Sequence, residues 1–482
     1  MGDTKKFSFM SVILSVICVV FVAEAAAPAA AIGNAQFFWW IFLIVTFLLP
    51  YGMVVAELGT TYDGDGGLYD WVRDAFGDKW GSRVAWYYWI NFPLWIASLA
   101  TLFPDILSMM FGFEISLPVA LCVELAFVWI VVFMSFSKVS DSEWILNGGA
   151  ILKVAIAAVV GCLGIWFATG HGFASDMSFK TFLPDLTNSS ALTYLSIILF
   201  NFMGFEVVCT FASSMKNPEK DIPKAIILGG LAIAAVYLFC SFGIGAAIPA
   251  DQIDPDFGMI MAVATMVGEN SPIFMIICAT FLITLFANMA SWSFGVNSVA
   301  DYAAQHGNMP KLFCVESKKT GMPNGAAVIN GIVATLALLL QLIPIPAISE
   351  GIFWMLFSMN VVFLLMSYIP MFPAFLKLRR VDSNRPRVFT FPFKGAFMKI
   401  ALAVPAIELI LAIIATIVPL NAGEVESKLP MLIGVIVFVV LGEVVRVCSA
   451  HGRKEEFKGL TPELAAERLT AESDNKVVEV QE

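Results

Sequence analysis

The chain has 482 residues, of which 59% are hydrophobic and only 14% charged, and its mean hydropathy is +0.83. Soluble domains carry roughly 45–50% apolar and ~25% charged residues, so this much apolar surface cannot be hidden inside one water-soluble core. A cytosolic enzyme, a nucleic-acid binder and a disordered scaffold are excluded. The net charge of −10 does not set membrane topology; the distribution of Lys and Arg does.

Lys5 and Lys6 precede an apolar run that ends in Ala-rich sequence between Ala23 and Ala31. That pattern also suits a secretory signal with a small-residue cleavage site. Removing it would leave an odd number of spans and break a repeat, so it is read as the first span. Twelve spans follow the hydropathy, at 10–32, 37–58, 84–111, 117–136, 143–169, 191–214, 224–248, 272–297, 325–343, 350–378, 397–420 and 429–449. Each is near the ~20 residues that cross a bilayer. Unpaired backbone groups are too costly in hydrocarbon, so the spans are predicted helices and the fold class all-α integral membrane.

With the N-terminus inside, the inner joints hold Arg73, Lys79, Arg83, Lys138, Lys216, Lys220, Lys224, Lys311, Lys318, Lys319 and a basic run from Arg379 to Lys399. The outer joints hold only Lys180 and Lys428, and carry Asp251, Asp254, Asp256, Glu424 and Glu426. This asymmetry predicts two cytoplasmic termini, 1–9 and 450–482, in a plasma membrane. Trp39, Trp40, Trp86, Tyr87, Tyr88 and Trp89 lie near span ends and read as interfacial anchors. The eight scattered cysteines form no CxxC pair and read as small buried hydrophobes. Three distant histidines suggest no metal site, and no P-loop or other cofactor motif is present. The Gly64-Asp65-Gly66-Gly67 stretch reads as a tight turn at the inner side.

Ionisable residues inside spans are costly and are functional candidates by default. Glu24 precedes Ala25-Ala26-Ala27-Pro28, and proline removes a backbone donor there. Glu206 follows Phe200-Asn201-Phe202-Met203-Gly204-Phe205, with Gly204 weakening the helix at mid-membrane. Spans 1 and 6 are thus both interrupted, at corresponding places if spans 1–5 and 6–10 are repeats. Paired broken helices point to a transporter site at the repeat interface. Lys153 lies about ten residues into its span, roughly 15 Å by helix rise, which is too deep for easy snorkelling. A buried lysine there can exchange a proton or stand where a cation would bind. Glu124 and Glu408 read as interhelical hydrogen-bonding or headgroup-level groups, and Asn91, Asn288 and Trp292 as pocket walls.

Several of these stretches resemble the amino acid–polyamine–organocation transporters. They are Ala56-Glu57-Leu58-Gly59 with Gly66–Gly77, FNFMGFEVV (Phe200–Val208) with MKNPEKDIPKAI (Met215–Ile226), and YIPMFPAFLKLRR (Tyr368–Arg380) with the Arg385-Pro386 to Phe391-Pro392 loop. The similarity runs from about residue 10 to 449 and looks closest to the glutamate/GABA antiporter branch. It implies a LeuT-type fold of two inverted five-helix repeats, 10–170 and 191–378, plus two extra helices over 397–449. It also implies a substrate site at Val22, Ala23, Glu24 and Ala25 of span 1 and at Phe200, Asn201, Gly204 and Glu206 of span 6. In it Phe200 is a gating aromatic, and Lys153 stands where other members bind sodium. The sequence departs from the family at Val22-Ala23-Glu24, where many members have a Gly-Ser-Gly-like run. Without glycine the backbone approaches a ligand less closely, and Glu24 adds a negative charge that suits a substrate with an extra amino group.

The reading is a secondary amino acid transporter, a permease or an antiporter, working by alternating access and with no cofactor. Protons are candidate co-substrates, and the chain acts as a monomer or a homodimer in the bilayer. The first rival is an amine or polyamine exchanger in which Glu24 and Glu206 receive the cationic ends. The second is a membrane nutrient sensor that binds without transporting.

Overall fold

The computed structural model describes residues 8–62, 64, 66–138, 140–184, 196–207, 209, 215–349, 351–419 and 424–450. Among them the secondary structure is helical, with no β-strand. Ten helices are long and apolar enough to cross a bilayer, and the bent pair Phe9–Val20 and Ala23–Ala31 makes an eleventh. The pair is span 1. Spans 2–5 are Ala35–Thr61, Asp78–Phe111, Leu117–Met134 and Glu143–His171, and spans 7–12 are Pro218–Ala247, Pro272–Gln305, Asn324–Leu342, Ile352–Val381, Gly395–Ile417 and Lys428–Ser449. Of the sixth expected span, the described part is the short apolar helix Ser196–Val207, shorter than a bilayer crossing. Its residues 191–195, 208 and 210–214, like the terminal segments 1–7 and 451–482, lie outside the described residues.

Local chemistry sets the helix starts. Ser8 caps span 1, its Oγ accepting from Ser11 N–H at 3.2 Å, and Ser271 does the same for Ile273 N–H at the start of span 8. Pro118, Pro218 and Pro272 stand in the first turns of spans 4, 7 and 8, where their missing N–H is not needed. Span 2 widens into a π-helical turn over Ile44–Leu48 just before Pro50. Pro50 offers no N–H to the Thr46 carbonyl, so the regular ladder is interrupted there.

Burial separates centre from rim. The apolar window of span 10 is 78% buried and that of span 3 is 67%, against 28% for span 11 and 17% for span 12. Spans 3 and 10 pack along each other, and span 1 is wedged among spans 5, 7 and 8. The alternative signal-peptide segment is therefore largely enclosed by the bundle. Outward-facing side chains such as Phe133, Trp166, Ile276 and Leu336 are apolar, as a lipid-facing surface requires.

Two expectations are corrected. Trp40, Trp86, Tyr88 and Trp89 are buried, not interfacial, because helix packing covers them from the bilayer. Among the cysteines, Cys18, Cys240 and Cys278 are buried, but Cys122, Cys162 and Cys448 face outward; a thiol is apolar enough for a lipid-facing position.

Candidate substrate site between two broken helices

Span 1 bends by 59° at its break. Phe21 and Val22 adopt extended backbone, with φ/ψ of −75°/120° and −121°/106°. The helical bonds that would close over this point are lost, and their groups find other partners. Val22 N–H donates to Tyr237 Oη at 2.7 Å instead of to Cys18 O. Ala25 N–H turns back to Val22 O at 3.2 Å, which leaves Phe21 O open. Lys153 Nζ fills both vacancies, donating to Cys18 O at 2.6 Å and Phe21 O at 2.5 Å, with Asn288 Oδ1 as a third acceptor at 2.5 Å. Val19 O, freed in the same turn, accepts from Trp292 Nε1 at 2.6 Å. Buried backbone groups must be paired somewhere, and in span 1 the partners come from spans 5, 7 and 8.

Span 6 breaks at Gly204, whose φ is +107°. An L side chain is strained there, and a Cβ would meet Trp292 Cζ2 at 2.7 Å, so glycine is required twice over. Gly204 N–H leaves the helix and donates to Tyr368 Oη at 3.1 Å. The two breaks touch: Asn201 Nδ2 donates to Ala25 O at 3.2 Å, and Ser241 Oγ of span 7 donates to Ala26 O at 3.2 Å. Phe200 packs against Trp95 and Phe357 with ring centroids at 5.3 and 5.5 Å.

Val22, Ala23, Glu24, Ala25, Asn201 and Lys153 thus share one buried neighbourhood. Glu24 is 5% exposed and Lys153 1%, and each lies in the other's field. Glu206, also 1% exposed, stands in a second cluster. Tyr51 Oη donates to its Oε2 at 2.8 Å and Tyr88 Oη to its Oε1 at 2.7 Å, while Tyr368 completes a ring of three phenols. Trp292 joins the clusters, bonded to Val19 O and with its ring centroid 6.5 Å from that of Tyr88. Asn288 and Trp292 therefore line the span-1 break, whereas Asn91 bonds the Tyr88 carbonyl of its own helix. Glu124 accepts from Gln341 Nε2 at 2.7 Å, an interhelical bond away from the breaks. Glu408 lies beside Thr46 of span 2.

The arrangement is a packed helical bundle with two interrupted helices at its centre, and the model of one family covers residues 7–441 of it. The chain belongs to the amino acid permease family. It is 50% identical over 445 residues, 92% of this chain and 94% of the relative, to the "Probable agmatine/putrescine antiporter AguD" of Lactococcus lactis. It is 23% identical over 413 residues to the "Glutamate/gamma-aminobutyrate antiporter" of the same organism, covering 82% of this chain and 80% of the relative. An uncharacterised transporter of Legionella pneumophila is 27% identical over 87% of this chain and 91% of the relative. Glutamate/GABA antiporters are thus among the relatives, and the agmatine/putrescine relative shares more of the residues. This permease is a multi-pass membrane transporter of amino acids or amines, and not an enzyme.

Sequence reasoning missed the tyrosines. Tyr51, Tyr88, Tyr237 and Tyr368 are each fully buried and each hold a group of span 1 or span 6. A signal was present, since a phenol inside an apolar helix needs a hydrogen-bond partner. The partners lie 118 to 215 residues away, however, and spacing along the chain does not pair them.

Proposed function

We propose that this permease exchanges small cationic amines across the plasma membrane by alternating access, with agmatine and putrescine as the substrate pair. The observation that carries the reading is the meeting of the two helix breaks at Ala25 and Asn201 beside the buried carboxylate of Glu24. The 50% identity to the agmatine/putrescine relative supports the same substrate class. The amine reading replaces general amino acid transport as the favoured one.

In this reading Val22, Ala23, Glu24, Ala25, Phe200, Asn201 and Gly204 form the substrate site. Lys153 holds the inner half of span 1 and supplies a fixed positive charge where another member would bind a metal cation. Glu206 and its three tyrosines close the path on the inner side. Any coupling requires that substrate bind the inward- and outward-open states with different free energies. The repeat limits 10–170 and 191–378 are supported by the packing of span 2 on span 7 and of span 3 on span 8. Both termini are cytoplasmic, which agrees with the clustering of Arg73, Arg379, Arg385 and Arg387 at one end of the bundle.

Counterflow in proteoliposomes tests the reading. Vesicles loaded with putrescine should take up labelled agmatine faster than empty ones, while labelled glutamate, serine and an aromatic amino acid should show no stimulation. Stimulation by an amino acid and not by the amines would overturn it.

A further inference from the structure

Around the two breaks six donors are spent. Val22 N–H goes to Tyr237, Ala25 N–H to Val22 O, Gly204 N–H to Tyr368, Trp292 Nε1 to Val19 O, Ser241 Oγ to Ala26 O and Asn201 Nδ2 to Ala25 O. The Lys153 ammonium is committed to three acceptors. Two acceptors are not spent. Glu24 Oε1 and Asn201 Oδ1 are buried and have no hydrogen-bond partner among the described residues. Among the described residues, three unpartnered donors lie near the breaks: Asn288 Nδ2, Trp95 Nε1 and, packed against Tyr237 and Phe202, Trp40 Nε1. All are neutral, so none offsets the charge of an anionic ligand.

A buried carboxylate oxygen without a donor is costly, and nearly all such groups in folded proteins are satisfied. A ligand that brings N–H donors and positive charge removes that cost. A ligand that brings a carboxylate adds a like charge beside Glu24, where the cation shown among the described residues, Lys153, is already committed. Specificity often rests on such a repulsive element as much as on an attractive one.

We propose that Glu24 determines specificity: with Asn201 Oδ1 it takes one cationic nitrogen of the substrate, and its charge bars the parent amino acid. Agmatine and arginine share a guanidinium and a carbon chain and differ by the α-carboxylate. Putrescine and ornithine differ in the same way. The inference rests on the amine-exchange reading, and it adds that Glu24 separates amine from amino acid.

The test is competition for labelled agmatine uptake into putrescine-loaded proteoliposomes, with unlabelled agmatine, arginine, putrescine and ornithine as competitors. In the unmodified protein each amino acid should compete about 100-fold more weakly than its amine. Glu24→Gln should weaken agmatine by about 10- to 100-fold and narrow the arginine-to-agmatine ratio at least about tenfold. Glu24→Asp should keep the preference for the amine. Equal competition by arginine and agmatine in the unmodified protein would overturn the proposal without any variant having to fold. So would an unchanged ratio in a folded Glu24→Gln protein. Absence of any agmatine–putrescine exchange by the unmodified protein would instead refute the amine reading itself.

Discussion

A lysine buried deep in a membrane helix must find acceptors there, and Lys153 finds them where the next helix has come apart. Each charge-assisted bond contributes about 1.5–3 kcal/mol, so its three acceptors hold the angle of span 1 as well as the charge. Lys153→Ala should lower the initial exchange rate about tenfold or more while the protein remains folded, because three acceptors lose their donor. Unchanged uptake and pH dependence in that variant would show that the lysine has no part in transport. The lysine was legible in the sequence from its depth alone. Its partners were not, because a break presents carbonyls, which carry no residue-specific mark. The same holds for Glu206: the charge is visible in FNFMGFEVV, but the ring of Tyr51, Tyr88 and Tyr368 exists only after spans 2, 3 and 10 have packed.

At the scale of elements, two family motifs prove to be one contact. Glu57, near the C-terminal end of span 2, accepts from Arg379 Nε at 2.7 Å and Arg387 Nε at 3.1 Å through Oε1, and from Phe391 N–H at 2.6 Å through Oε2. Asp382 joins in through Tyr62 Oη at 3.2 Å, and Arg385 Nε reaches Thr61 O at 2.9 Å. The loop between spans 10 and 11 is thereby clamped to the end of span 2. Removing one partner of a buried ion pair costs more than the pair itself contributes. Arg379 is partly exposed, with 18% of its side chain open, so Glu57→Gln should destabilise by about 2–3 kcal/mol, less than a fully enclosed pair would. A thermal midpoint equal to that of the unmodified protein would contradict this. On the opposite face, Asp254 Oδ1 accepts from Asp256 N–H at 2.8 Å and Phe257 N–H at 3.0 Å in the turn before Gly258. Burial, and then the charges of Asp254 and Asp105, push the Asp256 carboxyl up to about 8. The folded state therefore holds that proton more tightly than the unfolded state, whose value is about 3.9. The stabilisation is full below the unfolded value and is lost as pH rises through about 8. Amides of Ile253, Asp254, Asp256 and Phe257, corrected for intrinsic exchange, should be better protected at pH 6 than at pH 9. The opposite order would mean that the carboxyl is charged in the fold throughout.

At the scale of the whole molecule, composition and hydropathy made the class plain: a chain this apolar has to fold in lipid, and span positions follow from helix length. Span ends were less legible. Span 3 begins at Asp78 and span 8 runs to Gln305, past their apolar limits, because Asp78 and Asn308 bond each other at 3.1 Å and Ser82 bonds Asn308 at 2.8 Å. Polar residues that meet a partner can prolong a helix that hydropathy would end. The breaks were legible at Pro28 and Gly204 as weak points, and the family resemblance placed the first near Val22–Ala25. The extended residues turned out to be Phe21 and Val22, upstream of the proline, because Tyr237, Lys153 and Trp292 stabilise the open turn there. Amine-for-amine exchange at those breaks is tested by efflux of labelled putrescine from proteoliposomes. Exchange requires slow efflux into amine-free buffer and rapid efflux when unlabelled agmatine is supplied outside; equal efflux in both buffers, or none in either, would contradict it.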